Sequence, residues 1–184
     1  MYNNIIDYID DMNNIEYINY MEKLHILDAE LLYLILIVHK ELDLDITMYF
    51  NNYKDMNIHD INILILFYEY FYKNNKLLEK ECLMLLDISI LPDSNILTLL
   101  HISSNKNIIL EGYKRKILTS DILEKHTLLM CLKGELYEFL RSIFIINIQS
   151  YLNNNIRIIF EKEKSIYELY GDYKIVEFYN NLLN

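Results

Sequence analysis

The residue types that most often carry catalysis or bind metals are present in this chain, but their spacing gives them no shared site. The five histidines are scattered: His25, His39, His59, His101 and His126. None stands at zinc-ligand spacing from another His, a Cys or a carboxylate. Cys82 and Cys131 are far apart and form no CxxC motif, so they read as reduced core thiols in apolar helical segments. We therefore expect no metal and no cofactor.

Nucleotide and acyl-transfer chemistry also lack a motif. The three glycines are isolated, which excludes a glycine-rich phosphate loop and a nucleophile elbow around a serine. The pairs Glu161/Glu163 and Asp10/Asp11 lie in strongly charged, solvated stretches, whereas acid–base work needs burial or a close partner. We expect a protein that is not an enzyme and has no small-molecule substrate. A site assembled from distant residues stays open as the alternative.

The elements that must carry any site are predicted to be helices. Hydrophobic residues make up 53% of the 184 positions, but there are only three Gly and one Pro. An all-β domain needs a turn roughly every 8–12 residues, and turns draw on Gly and Pro. Ile and Tyr are abundant and favour strands, which leaves a mixed α+β fold as an alternative. We predict one all-α domain over residues 1–184.

Apolar spacing and capping residues divide this domain into helices. Residues 1–55 are predicted to hold acidic N-terminal helices, and residues 60–184 antiparallel helix pairs. Capping is assigned to Asp28, Asp60, Asp93 or Ser94, and the Asp121/Glu124 pair. The stretch 156–164 fits a helix face but also fits a strand. The predicted helices span 3–12, 15–24, 28–42, 60–72, 76–88, 95–104, 107–119, 121–132, 136–153, 156–170 and 175–183, with a weak turn at 45–51.

The segment SIYELYGDYKIVEFYNNLL resembles the tetratricopeptide repeat (TPR) family. The positions in the family's roles are Ile166, Tyr167, Leu169, Gly171, Asp172, Tyr173, Val176 and Tyr179. A second match is LKGELYEF, where Gly134 stands where the family lets two helices approach closely, with Tyr137 after it. A third match runs through Leu64, Phe67, Phe71, Met84 and Pro92. Tyr68 and Lys80 depart from the pattern, which has small residues at these positions.

The resemblance covers about residues 60–184 and implies an α-solenoid of stacked antiparallel hairpins. Proteins of this family hold a peptide or a partner subunit in a concave groove or along an edge. The order and spacing are also similar to those of the TPR subunit of the endoplasmic-reticulum membrane protein complex. A different helical bundle, with its apolar stripes simply forming the core, stays open as the alternative fold.

Charge indicates two candidate partner-binding regions. The net charge of −10 disfavours general nucleic-acid binding. Residues 1–45 hold ten Asp or Glu and two Lys, and this acidic region is a candidate dock for a basic partner through Asp7, Asp10, Asp11 and Glu16. A basic cluster, Lys114, Arg115 and Lys116, is a candidate contact for phosphate or an acidic protein surface. A solvated helix face is the alternative reading of both regions.

These observations favour a non-enzymatic scaffold or adaptor, a helical-repeat subunit of a larger assembly that binds protein partners. One alternative is a ribosome-associated factor whose basic cluster contacts RNA. Another is a viral Bcl-2-like bundle around a central apolar helix, at 31–38 or 61–72. The N-terminus has no signal-peptide pattern, and the longest apolar run, 31–38, is far shorter than the ~20 residues of a membrane span. We therefore expect a cytoplasmic protein.

Overall fold

The structure, a computed structural model, describes residues 29–42, 44–55 and 59–184. These residues form helices and turns and contain no strand, which confirms the all-α prediction. The helices predicted over 3–12 and 15–24 lie outside the described residues, as do Asp7, Asp10, Asp11 and Glu16. The described α-helices are α1 (Ala29–Glu41), α2 (Thr47–Tyr53), α3 (Ile61–Asn74), α4 (Lys76–Leu85), α5 (Asp93–Ile102), α6 (Lys106–Lys114), α7 (Ser120–Leu132), α8 (Leu136–Ser142), α9 (Asn154–Tyr170) and α10 (Tyr173–Leu183). A short 3₁₀ helix, Ile148–Tyr151, precedes α9.

The chain divides into two compact units, residues 1–70 and 71–184, with the boundary inside α3. The prediction of one domain over 1–184 stays a prediction. In the first unit, the ring of Phe67 in α3 lies 5.2 Å from Phe50 and 5.6 Å from Tyr53, both in α2. Asp60 caps α3 as predicted, since its carboxylate accepts from the backbone N–H of Asn62 at 2.8 Å.

In the second unit, successive helices form hairpins, and the first helices of two neighbouring hairpins run parallel. At the start of α7, Glu124 accepts from the side chain of Asn155, 2.7 Å away, at the start of α9. At the end of α7, Cys131 lies 3.3 Å from Glu163 in the second half of α9. The starts of the two helices are therefore in contact, and so are their later parts, which means that α7 and α9 run parallel. α10 then packs back along α9.

The core of the second unit lies between these hairpins. Burying a large apolar side chain stabilises a fold by about 1.5–3 kcal/mol. The helices are therefore held chiefly by their inward stripes and only secondarily by their own propensities. The fully buried apolar residues and tyrosine here are Phe71, Cys82, Ile96, Leu99, Leu100, Ile108, Ile109, Leu123, Leu140, Ile143, Ile156, Phe160 and Tyr179.

Three helices end in the same turn, in which one residue takes a left-handed conformation. The residue is Lys116 after α6 (φ 61°), Gly134 after α7 (φ 70°) and Gly171 after α9 (φ 74°). In each turn two backbone N–H groups bond back to carbonyls of the last helical turn, which is the Schellman pattern. A glycine at such a position avoids the strain that a side chain adds. At Gly171 the predicted turn is confirmed.

The role predicted for Gly134 in close helix approach is wrong. A Cβ at this position would meet nothing within 4 Å, so Gly134 is needed for its backbone angle alone. The close approach occurs at Gly112 in α6, where a Cβ would lie 2.7 Å from Leu100 Cδ1 in α5. The glycine that costs α6 some helix propensity thus allows the α5–α6 hairpin to close tightly.

Several predicted helix boundaries are also wrong. α6 ends at Lys114 and not at 119, because Lys116 turns left-handed. α7 is capped by Thr119, whose hydroxyl accepts from the N–H of Ile122, and not by the Asp121/Glu124 pair. α5 begins at Asp93 without a side-chain cap, so the capping role of Asp93 or Ser94 is not observed. The stripe predicted over 136–153 breaks at Ser142 into α8, a turn and the 3₁₀ helix. The stretch 156–164 is helical, which removes the strand alternative there.

Candidate functional site

Arg115, in the middle of the predicted basic cluster, is fully engaged within the chain. Its guanidinium donates to three backbone carbonyls of the α4–α5 loop, those of Ile88, Ser89 and Leu91. Its Nε donates to Glu111 at 2.9 Å and its Nη1 to Asp93 at 3.1 Å. These bonds use one Nε, two Nη1 and two Nη2 donors, which is the whole donor capacity of a guanidinium. Its side chain is 18% exposed.

The two lysines beside Arg115 do not share its position. Lys114 is the last residue of α6 and pairs with Glu111 at 3.2 Å. Lys116 is exposed and occupies the left-handed turn. The Arg115 guanidinium, with help from Lys114, holds the pKa of the Glu111 carboxyl below its usual range. The cluster therefore ties the C-terminal end of α6 to the loop before α5, and its predicted partner contact stays a prediction.

The structure brings together a serine and a histidine that the sequence did not connect. His126 is buried in α7, and its Nδ1 lies 2.8 Å from the Oγ of Ser104. Its Nε2 lies 2.7 Å from the backbone carbonyl of Leu100, which can only accept a hydrogen bond. Nε2 therefore carries the proton, and the Ser104 hydroxyl donates to Nδ1. Burial lowers the pKa of His126, which keeps the ring neutral.

A hydroxyl that donates to an imidazole is also the first half of a serine-hydrolase triad. In such a triad a carboxylate stabilises the imidazolium that forms during attack. Here that position is taken by the uncharged carbonyl of Leu100, and the lowered pKa opposes protonation. We interpret the pair as structural: His126 joins α7 to the end of α5, and Lys125 adds a 2.7 Å bond to the carbonyl of His101.

A patch of exposed apolar side chains marks the turn between α9 and α10. Leu169, Tyr170 and Tyr173 are 88%, 82% and 75% exposed, and we call these three residues the hairpin apex. The buried residues of α9, Ile156 and Phe160, both lie in its first half, and the helix end that carries Tyr170 is exposed. Large apolar groups exposed side by side are typical of binding surfaces.

Next to the apex, five residues from four helices form an acidic–aromatic cluster. They are Cys131 of α7, Tyr137 of α8, Glu163 and Tyr167 of α9, and Tyr179 of α10. The ring of Tyr167 stacks on Tyr179 at 6.3 Å and lies 6.4 Å from Tyr137. Glu163 stands one helical turn before Tyr167, and the two residues therefore share one side of α9.

The polar atoms of this cluster have weak or missing partners among the described residues. Glu163 Oε1 accepts from the Cys131 thiol at 3.3 Å, and a thiol is a weak donor. The hydroxyl of Tyr179 is buried with no hydrogen-bond partner. Burial, and then the charge of Glu163, raise the pKa of the Tyr179 phenol. Burial, and then Glu163, also raise the pKa of Cys131, which makes the thiol a poor nucleophile.

Other kinds of site find little support in the described part of the chain. No three His, Cys, Asp or Glu residues there come together in a way that could hold a metal ion. None of the described helices has the length and apolar character needed to cross a membrane. A shallow depression of about 260 Å³ lies between α5 and α7, with Leu97, His101, Ile122 and Lys125 in its walls.

Both groupings outside the basic cluster were missed by sequence reasoning. Ser104 and His126 are 22 residues apart, and Cys131 and Glu163 are 32 apart. The packing of α7 against the end of α5 and along α9 brings these pairs together. The run ELYGDY, in which tyrosines lie on both sides of a helix-ending glycine, was the one sequence feature that indicated the hairpin apex. No protein-family model, curated protein or solved structure matches the chain.

Proposed function

We propose that this protein is a non-enzymatic helical scaffold, a subunit of a larger assembly, that binds a protein partner through the hairpin apex. The observation that carries this proposal is the exposure of Leu169, Tyr170 and Tyr173 on a single turn. Removing these apolar side chains from water is favourable, and within this exposed patch it requires another surface that covers them. Tyrosine is also enriched at protein interfaces.

The pairing of successive helices in the second unit supports this proposal. α7 and α9 run parallel, and each is followed by a shorter helix after a Schellman turn at Gly134 or Gly171. This is the arrangement expected of TPR-like units, in which each hairpin packs on the next. A stack of this kind is a rigid support that presents its turns along one edge. The hairpin apex is such a turn.

The charges around the apex favour a basic partner. Glu168 directly precedes Leu169, Asp172 lies between Tyr170 and Tyr173, and both carboxylates are exposed. Within the described residues neither carboxylate forms an ion pair, although Lys164 lies close enough to Glu168 to interact with it. A partner that offers apolar side chains flanked by Lys or Arg would match this surface in both hydrophobicity and charge.

The ribosome-associated alternative is less well supported. It relies on Lys114, Arg115 and Lys116, yet Arg115 has no donor left for a phosphate. The Bcl-2-like alternative needs a groove around a central apolar helix. The hairpin pairing of α5 to α10 favours the scaffold over that bundle.

Size-exclusion chromatography of the tagged protein from its native cells tests the proposal. The wild-type chain should elute in a complex well above its own 22.3 kDa. The variant Leu169→Ser, Tyr170→Ser, Tyr173→Ser should elute as a monomer and keep its thermal midpoint, because these side chains contribute little to the core.

A matched control changes three other exposed apolar residues, Leu77→Ser, Met84→Ser and Ile90→Ser. This control should retain the complex, since it lowers surface hydrophobicity by a similar amount away from the apex. A wild-type chain that elutes alone would refute the scaffold. Equal loss of the complex in both triple variants would refute the role of the apex.

A further inference from the structure

We propose that the acidic–aromatic cluster beside the hairpin apex binds the ammonium group of a lysine side chain from the partner. This inference rests on the proposed function and gives the partner a specific chemistry. The lysine would donate to Glu163 against the aromatic rings of Tyr137 and Tyr167, replacing the thiol of Cys131 as the donor.

The first argument is the mismatch between Glu163 and its present donor. A carboxylate forms its strongest hydrogen bonds with charged N–H donors, at about 2.7–2.9 Å. Glu163 instead faces a thiol at 3.3 Å, and no Lys, Arg or His lies within ion-pair distance of it among the described residues. Its neighbour Glu161 differs, since it already pairs with Lys164 at 2.6 Å. Glu163 is half-buried, so a ligand can reach it.

The second argument is independent of the first and concerns Tyr179. Its side chain is 0% exposed, and its hydroxyl has no partner among the described residues. Burial raises the pKa of this phenol, and the charge of Glu163 raises it further. An ammonium carries three N–H donors, enough to serve both the carboxylate and the phenol oxygen. A buried polar atom without a partner needs an explanation, and a donor bound at the acidic–aromatic cluster would supply one.

The aromatic rings give the site its preference for a cation. A cation is attracted to the face of a tyrosine ring within about 6 Å of its centre. The cluster already shows this at its edge, where the guanidinium of Arg141 lies 5.5 Å from the centre of Tyr137. Glu138 and Asp172 are also close enough to Tyr167 to raise its pKa, after the larger effect of burial. These carboxylates favour a cation over an anion beside the ring of Tyr167.

The position of the cluster explains how one partner would use both surfaces. Tyr167 lies one helical turn before Tyr170 of the apex, on the same helix. A partner that buries apolar side chains on Leu169, Tyr170 and Tyr173 would place a lysine a few residues away against Glu163. The apex would supply the buried area, and the cluster would select for a basic residue.

An NMR titration of the full chain with n-butylammonium chloride tests the site on its own. Sodium chloride at the same ionic strength serves as the blank. The wild type should show saturable shifts at the backbone amides of Glu163 and Tyr167. Glu161→Gln should behave like the wild type, and Glu163→Gln should lose the shifts. Tyr179→Phe should stay folded and bind more weakly, because only the hydroxyl is removed.

The absence of saturable shifts in the wild type would overturn the inference, and so would equal shifts in Glu163→Gln. Neither result would bear on the proposed role of the hairpin apex, because that role is tested by the size of the complex formed by the triple-serine variant. In the purified complex, Glu163→Gln should weaken partner binding about tenfold if one charge-assisted contact is lost. A complex that depends on the apex but is unchanged by Glu163→Gln would leave the scaffold standing and reject the lysine site.

Discussion

Gly112 in α6 faces the fully buried side chain of Leu100 in α5, with room for a hydrogen atom but not for a methyl group. A Cβ on residue 112 would lie 2.7 Å from Leu100 Cδ1, well inside van der Waals contact. Leu100 is 0% exposed and is held in the core, so it has little freedom to move away. The spacing of the α5–α6 hairpin is thus set by the missing side chain.

We expect Gly112→Ala to destabilise the protein. Alanine gains about 1 kcal/mol of helix propensity over glycine, but overpacking a core costs about 1–3 kcal/mol. The net loss should be about 1 kcal/mol in urea unfolding. Leu100→Ala alone should cost more, about 2–5 kcal/mol. The double variant Leu100→Ala, Gly112→Ala should lose less free energy of unfolding than the two single variants lose together, because the smaller side chain at position 100 makes room for the methyl group. Strictly additive losses would contradict the contact.

Lys116 is expected to be the weakest of the three left-handed turns. A side chain in this backbone region costs about 1–2 kcal/mol, and glycine avoids most of it. Lys116→Gly should therefore stabilise the protein by about 0.5–1 kcal/mol, after allowing for the larger entropy of the unfolded glycine chain. The matched control, Lys114→Gly, places glycine in the last turn of α6 and should destabilise. Thermal unfolding of both variants decides the point, and a shift of the same sign in both would reject the strain.

Substitution of Arg115 should reduce stability even when the charge is kept. Arg115→Lys retains a cation but cannot span Glu111, Asp93 and the three carbonyls of the α4–α5 loop. We expect a lower thermal midpoint and faster proteolysis of residues 86–92. Lys114→Gln is the control and should change the midpoint much less, since its single ion pair is exposed. Equal midpoints for the two variants would show that the guanidinium bonds contribute nothing.

Stability should fall as the pH is lowered from 7.5 to 5.5. Burial lowers the pKa of His126, with further lowering from Lys125 and His101, and burial also lowers the pKa of His39. The unfolded chain therefore binds protons more readily than the folded chain, and the stability present above the unfolded pKa is lost below it. Each histidine can contribute at most about 1.4 kcal/mol per pH unit.

Urea unfolding at several pH values measures this slope. His126→Gln removes one titrating ring and should flatten the slope, although its stability at pH 7.5 is lower. His101→Gln removes only an exposed ring that makes a small contribution to the lowered pKa of His126, so it should change the slope much less than His126→Gln. A slope unchanged by His126→Gln would mean that the ring is not held neutral in the folded protein.

Helix positions were largely predictable because apolar spacing records which face of each helix is buried. Asp60 and the turn at Gly171 were also found, since an Asp directly before an apolar run and a Gly directly after a helical stripe are strong signals of helix ends. Other boundaries failed where several residues could cap, as at Thr119 and Asp121, and only the backbone angles choose between them. The end of α8 at Ser142 was not predicted, because no Gly or Pro follows it in the sequence.

The candidate sites were much less predictable than the helices. Arg115 looked like a partner-binding cation, because nothing in the sequence shows that five acceptors surround it. Tyr170 lies four residues after Ile166, a spacing that fits one apolar face of α9, yet both side chains are exposed. Exposure depends on how far the neighbouring helices extend, and helix length is the property that spacing predicts least well.

The hydrogen bonds between successive hairpins have a consequence for how the chain folds. They link residues only 22–32 positions apart, as between Ser104 and His126 or between Cys131 and Glu163. Contacts of such short range are typical of chains with low contact order, which fold quickly. Each hairpin can therefore dock as soon as it leaves the ribosome, onto one that has already formed. α10 would dock after the hairpins that precede it, and the acidic–aromatic cluster, which needs Tyr179, would form only when α10 has docked on α9.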